Sequence, residues 1–154
     1  MSFERAYNYL KQYNLESKAQ QFTTSSATVA LAAAALGTEE ARIAKTLAFD
    51  VKGKIVLVVA AGDTKIDNKK FKQQFSAKAK MLDSTSVYKY TGYHVGGVCP
   101  FDIDTSVEIF IDDSVKRFET VFPACGSDDS AVELTIDQLY EVSKATGWVS
   151  VTLF

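Results

Sequence analysis

Phe3, Ala6, Tyr7 and Leu10 return at intervals of three and four, the spacing that lays one apolar stripe along a helix. Ser25 and Ser26 then precede an alanine-rich run over residues 27–36 that stops at Gly37. That pattern predicts a second helix, capped by the serines and ended by a glycine in the left-handed conformation. Thr38-Glu39-Glu40 predicts a short third helix, with threonine as N-cap and acids in its first turn. From Ile43 the period changes. Residues 43–49 read as a strand, Lys52-Gly53 supplies a tight turn, and the following Ile55-Val56-Leu57-Val58-Val59-Ala60-Ala61 is unbroken, as in a strand covered on both faces.

Further along, Asp67 is placed to cap a helix through Phe75, and Asp83 to cap another that ends near Tyr90 with Gly92 as its stop. Residues 107–111, 118–122 and 131–134 read as short strands; Thr135 opens a helix reaching Gly147, and residues 148–154 form a closing strand. Nothing repeats and no linker interrupts the pattern. Helices and strands mixed without regular βαβ alternation predict an α+β fold, a mixed and partly barrel-like β-sheet surrounded by helices. At 154 residues and 47% hydrophobic, residues 1–154 make a single domain able to bury its own core.

Charge adds an asymmetry. Residues 1–100 hold 14 basic against 8 acidic side chains, whereas residues 101–154 hold 3 against 11. The excess gathers over residues 65–80, where Lys65, Lys69, Lys70, Lys72, Lys78 and Lys80 face only Asp67. Such a patch suits phosphates, and it equally suits the solvated face of an amphipathic helix. The opening MSFERAYNYLKQY carries charges and no apolar signal-peptide core, and the longest apolar stretch, Val29–Leu36, is far shorter than a bilayer span. A soluble cytoplasmic protein that does not enter a membrane is the expectation. Cys99 and Cys125 lack CxxC spacing and His94 is the only histidine, so no zinc ligand set can be assembled from Cys and His.

Two features carry candidate chemistry. Lys45 lies in an apolar strand-like segment, where a lysine either extends to solvent or lines a cleft with its ammonium on an anion. The loop Thr91-Gly92-Tyr93-His94-Val95-Gly96-Gly97-Val98-Cys99-Pro100-Phe101 has three glycines and a proline, a composition suited to an unusual backbone path. Gly96-Gly97 lets main-chain N–H groups approach a ligand, as an oxyanion or phosphate requires; a plain turn explains the same dipeptide. His94 and Cys99 share this loop and raise a thiol-hydrolase alternative, although the loop offers no third group to orient the imidazole. Asp112, before Asp113-Ser114, suits either a water-positioning carboxylate or a turn.

Ile43-Ala44-Lys45-Thr46-Leu47, then Thr91-Gly92-Tyr93-x-Val95-Gly96-Gly97-Val98-Cys99-Pro100-Phe101, then Ile109-Phe110-Ile111-Asp112 and the Cys125-Gly126 turn before Glu133-Leu134 occur in that order. This succession resembles the YbaK/EbsC family and the related INS-like editing domains associated with prolyl-tRNA synthetase. Ser25-Ser26-Ala27-Thr28-Val29 and Ala124-Cys125-Gly126-Ser127 are most similar to the free-standing ProX-type aminoacyl-tRNA deacylases.

The resemblance implies trans-editing: hydrolysis of the ester joining a small, wrong amino acid such as alanine or cysteine to tRNA, most often tRNA for proline. It implies the tRNA acceptor end as partner, prolyl-tRNA synthetase as a possible second one, and no cofactor. By the same resemblance Lys45 contacts the tRNA 3′ end, and Gly96 and Gly97 approach the ester carbonyl. Thr46, Val98, Cys99, Pro100 and Asp112 join the substrate site, with Phe22, Ser25, Ser26, Ala27 and Thr28 as candidate pocket walls. Positions that carry an acid and a serine in the cysteine-specific branch fall at Ala131 and Ala124, which implies a different amino-acid pocket. A non-catalytic module that binds the tRNA end or a nucleotide is the remaining alternative.

Overall fold

The computed structural model describes residues 2–154. Its centre is the hairpin of β2 (Ile43–Val51) and β3 (Lys54–Ala61), closed by Lys52 and Gly53, both at positive φ (54° and 85°). That is the two-residue turn whose twist matches an antiparallel pair. On β3, Leu57, Val59 and Ala61 join one apolar cluster and Val56 and Val58 another, so the unbroken apolar run is covered on both faces, as its pattern predicts.

Four further strands complete the main sheet: β5 (Glu108–Asp112), β6 (Thr120–Pro123), β8 (Leu134–Thr135) and β9 (Gly147–Val149), in the order β8-β6-β2-β3-β5-β9. The β6–β2, β3–β5 and β5–β9 pairings are parallel and the others antiparallel, giving a curled, mixed half-barrel. Two short antiparallel ribbons flank it. One joins β1 (Ala19–Gln21) to β7 (Ser130–Val132), and the other joins β4 (Lys65–Ile66) to β10 (Thr152–Leu153).

Helices cover both faces. Ala6 and Leu10 of α1 (Ser2–Lys11), Val87 of α4 (Ser84–Thr91), and Leu139 and Val142 of α5 (Ile136–Val142) enter the cluster of Leu57 and Val59. On the other face, Phe71 of α3 (Asn68–Phe75) packs on Phe49, with ring centroids 4.8 Å apart. Ala32 and Ala33 of α2 (Val29–Leu36) lie against Ile43, Phe122 and Ala131, with Phe22 beside them. The α+β architecture with a partly barrel-like sheet is the one the sequence predicts.

Several local expectations change. Helix α2 is capped by Thr28, whose Oγ1 accepts from the Leu31 N–H (3.2 Å), and not by Ser25 or Ser26. The expected helix after Thr38 is a single 3₁₀ turn, Glu40–Arg42, preceded by Glu39 with no side-chain cap. Helix α5 opens on a capping box of Thr135 and Gln138 but stops at Val142, well before Gly147, because Lys144 turns to φ 53°. The expected strand 131–134 divides at Glu133, since β7 pairs with β1 and β8 with β6. The closing strand divides likewise into β9 and β10.

Candidate functional site

A cavity of about 290 Å³ opens beside β2. Its lining includes Ser26, Thr28, Lys45, Thr46, Gly96 and Val98, candidates that come from three separated stretches of the sequence. Ala32, Ala44, Ala124 and Ala131 add small apolar walls, and Met81, Leu82 and Val87 close another side. The Met81-Leu82 wall is not legible in the sequence, because it comes from an irregular segment without a motif.

Lys45 is half-buried and its ammonium donates to the Thr64 carbonyl. Burial lowers its proton affinity, and the neighbouring Asp63 carboxylate partly restores it. Asp63 is itself held by two bonds from the Arg117 guanidinium, at 2.6 and 3.0 Å. The ammonium is therefore partly desolvated, bonded to a main-chain carbonyl and near a carboxylate. In that setting an anionic or carbonyl oxygen entering the cavity meets a stronger attraction than a solvated lysine would offer.

The glycine-rich loop is pinned at its base. The Tyr93 hydroxyl donates to the Phe101 carbonyl (2.7 Å), and Arg5 joins Thr91 to Asp102 while lying 4.4 Å over the Tyr93 ring. Nothing in the sequence singles out Arg5, because its partners lie some 86 and 97 residues away. At the tip the two glycines meet different demands. Gly96 has φ 97° and lines the cavity. Gly97 lies outside the lining, and a Cβ there would fall 2.7–2.8 Å from Ser127 backbone atoms. Its N–H is engaged by the His94 carbonyl (2.9 Å), so Gly97 lets the loop close against the 126–130 turn and its N–H is not free for a ligand.

That turn is tied to the cavity's other rim. Ser26 N–H donates to the Asp128 carbonyl and Phe22 N–H to the Asp129 carbonyl, both at 2.6 Å. Ser130 Oγ accepts from the Cys125 N–H (3.1 Å). Phe22 packs in the α2 cluster and Ser25 accepts from the Ala27 N–H at the surface, so neither lines the cavity.

Cys99, Pro100 and Asp112 are also outside it. Cys99 is fully buried and burial pushes its thiol up to about 12, while exposed His94 stacks on Tyr88 with centroids 4.2 Å apart. A thiol with no exposed surface, outside the cavity, and with the loop's imidazole stacked on Tyr88 is not placed to attack a substrate, so the geometry speaks against a thiol hydrolase. Pro100 is buried behind the loop. Asp112 is fully buried and accepts from Ser114 N–H, Val151 N–H and Thr152 Oγ1 at 3.0, 2.8 and 2.7 Å, which ties β5 to the chain's end. Its carboxylate has the structural role, not a water-positioning one.

The model of the family described as "Aminoacyl-tRNA editing domain" matches residues 23–142, a span that holds every residue of the cavity lining. The chain belongs to the aminoacyl-tRNA editing domain family. A relative from Bacillus subtilis, the uncharacterised protein YwhH, is 48% identical over 152 residues, covering 98% of this chain and 97% of its own. The proline–tRNA ligase of Lysinibacillus sphaericus is 26% identical over 107 residues, 69% of this chain and 19% of the ligase. The editing-domain fold recurs in the crystal structure of a candidate trans-editing enzyme for prolyl-tRNA synthetase, with TM-score 0.89 and 22% identity over 99% of this chain and 98% of that one. Among the described residues no helix is long and apolar enough to cross a membrane.

Proposed function

We propose that this editing-domain protein is an aminoacyl-tRNA deacylase acting in trans, which hydrolyses the ester of a small amino acid, alanine before cysteine, on tRNA for proline. The observation that carries this reading is the pairing of a partly desolvated Lys45 ammonium with a small cavity walled by Ala32, Ala44, Ala124 and Ala131. Walls of that kind suit a methyl side chain, and the alanines at 124 and 131 supply no polar group to select a thiol.

In the reaction, water adds to the ester carbonyl, the bond to the ribose oxygen breaks, that oxygen takes one of the water's protons, and the other passes to solvent as the amino acid leaves as its carboxylate. The terminal ribose hydroxyl of the substrate helps to activate the water. The protein's part is to hold the ester and to stabilise the charge that develops on its carbonyl oxygen. Lys45 meets the tRNA 3′ end, and Gly96 brings the loop backbone to the opposite side of the ester. Phe22, Cys99 and Pro100 support this site from behind, Ser25 holds the turn before α2 through the Ala27 N–H, and Gly97 sets the loop's approach to the 126–130 turn.

The acceptor stem lies, in this reading, on the lysines of α3 and the segment after it. Lys69, Lys72 and Lys78 are exposed, and Lys80 leads directly into Met81 at the cavity wall. Lys70 differs from the others, since its ammonium donates to the Thr152 carbonyl (2.9 Å). Partnership with prolyl-tRNA synthetase and a cytoplasmic location follow from the same substrate.

The test is release of radiolabelled amino acid from alanyl-, cysteinyl-, seryl- and prolyl-tRNA by the wild type and Lys45→Ala. Selective release of alanine, lost by at least about 100-fold in the variant, is the expected result. Binding of tRNA without release by the wild type would replace this reading with a non-catalytic module. Reversing Lys69 and Lys72 to Glu should weaken binding of whole tRNA and flatten its salt dependence, while hydrolysis of alanyl-adenosine stays unchanged.

A further inference from the structure

Six consecutive residues of β2, Ile43 to Ala48, line the cavity. Neighbouring side chains on a strand point to opposite faces, so a cavity that meets all six lies off the strand's edge and not over one face of the sheet. The hairpin register says which backbone groups meet it there. Val51 pairs with Lys54 across the two-residue turn, so Val51, Phe49, Leu47 and Lys45 exchange hydrogen bonds with β3. Asp50, Ala48, Thr46 and Ala44 consequently turn their N–H and C=O groups the other way.

Three of these four positions find partners on that outer side. Asp50 N–H donates to the Lys80 carbonyl (2.9 Å), Ala48 C=O accepts from Leu82 N–H (3.0 Å), and Ala44 pairs with Pro123 of β6. Thr46 lies between them and has no such partner among the described residues. Its Oγ1 is also buried without a hydrogen bond. The hydroxyl is a buried polar group left unsatisfied, which is rare in folded proteins, and with the outward N–H and C=O beside it on a partly exposed, cavity-lining residue it marks a place where a ligand can bond.

We infer that the Thr46 backbone is the docking edge for the aminoacyl group, which binds as a one-residue β-strand: its α-ammonium donates to Thr46 C=O and Thr46 N–H donates to its ester carbonyl. This rests on the deacylase reading above. An α-amino ester in extended form presents its nitrogen and carbonyl on one side, as a strand residue does, and so completes the reciprocal pair of an antiparallel ladder. The gap is one residue long. Leu82 and Pro123 already occupy the positions on either side, so a peptide strand cannot continue along the edge. Thr46 N–H thereby becomes a donor to the developing oxyanion, the role that Gly97 N–H, engaged by His94, cannot take.

The experiment has two arms. In the first, an amide-to-ester replacement removes the Thr46 N–H and also weakens the Lys45 carbonyl as an acceptor toward β3, so kcat/KM for alanyl-tRNA is measured beside the melting temperature, which reports that second change. A fall of about 100-fold with the fold retained is expected, the effect of losing one oxyanion donor; a fall of less than about threefold overturns the inference. The second arm keeps the wild-type chain, labelled with 15N-threonine and 13C-methyl alanine, and titrates it with 3′-alanylamino-3′-deoxyadenosine, a non-hydrolysable analogue. The Thr46 amide proton should move downfield. If the Ala131 methyl responds and Thr46 does not, docking at this edge is wrong while the deacylase reading stands. If neither responds and the wild type releases no amino acid, the deacylase reading itself falls.

Discussion

β2 gives the cavity six consecutive residues, whereas the loop between Gly92 and Phe101 gives it Val95, Gly96 and Val98. The two walls work by opposite means. On β2 the backbone is regular, and its contribution comes from a local failure of pairing at Thr46, between Ala44, which pairs with Pro123, and Ala48, whose C=O accepts from Leu82 N–H. In the loop the backbone is irregular, and many of its groups are engaged: Tyr93 with Phe101, Gly97 with His94, and Thr91 with Arg5. The comparison teaches that a strand edge can supply preorganised hydrogen-bonding groups, while a glycine-rich loop can serve mainly to set the distance between two walls.

The largest effect that breaks this comparison is expected at Gly97. A Cβ there meets Ser127 backbone at 2.7–2.8 Å, and backbone on a tied turn has little room to withdraw. Gly97→Ala should cost about 1–3 kcal/mol, by the usual scale of overpacking. It should lower Tm by several degrees and reduce alanine release more than about 100-fold as the loop moves off Ser127. Gly96→Ala meets the Ala27 Cβ at 3.2 Å, with the strain of φ 97°, and should be the milder variant. Thermal melts beside release assays would decide. Equal damage from both would show that the close approach of Gly97 to Ser127 is no more critical than the cavity-lining position of Gly96, and would break the assignment of the loop's spacing role to Gly97.

Much of this site is legible in the sequence. Lys45, Thr46 and Gly96 can be found because a lysine in an apolar strand and a glycine pair in a loop are local signals, and the family resemblance joins them. Asp67 and Asp83 cap α3 and α4 as the sequence predicts, through bonds from Lys69 N–H and Ser86 N–H. The candidates that lie outside the cavity have a feature in common. Cys99 and Asp112 carry reactive groups, but their roles depend on surroundings created by residues far along the chain, such as Arg5 near the loop and Thr152 on Asp112. Strands of two or three residues, β1 and β4, have no period to read. Their pairing is set by tertiary contact alone.

A middle-sized effect sharpens the account of the strand wall. Asp63 holds up the proton affinity of Lys45 against burial, and Arg117 is anchored on the same carboxylate. In Asp63→Asn that support is lost and the Arg117 charge remains nearby. Both changes disfavour the ammonium, so Lys45 loses its proton at lower pH than in the wild type. If the charged lysine serves the reaction, the alkaline limb of the alanine-release profile moves to lower pH, with activity below the limb reduced only a few-fold. A profile that stays in place would separate Lys45 charge from turnover and leave its role to position alone.

The smallest effect is expected where the sequence offers the most reactive group. Cys99 is fully buried, its thiol is pushed up to about 12 by desolvation, and the cavity lining passes it by. Cys99→Ala removes one sulfur from the cluster that also holds Tyr93 and Phe101, so it should cost about 1 kcal/mol in stability, as small core deletions do. Alanine release should remain within about twofold at a temperature where both proteins are folded, since the thiol touches no reacting atom. Iodoacetamide should likewise leave the folded wild type active, because alkylation needs an exposed thiolate. Loss of release in Cys99→Ala, with Tm lowered by no more than a few degrees, would return the thiol to the reaction and overturn the division of labour between the two walls.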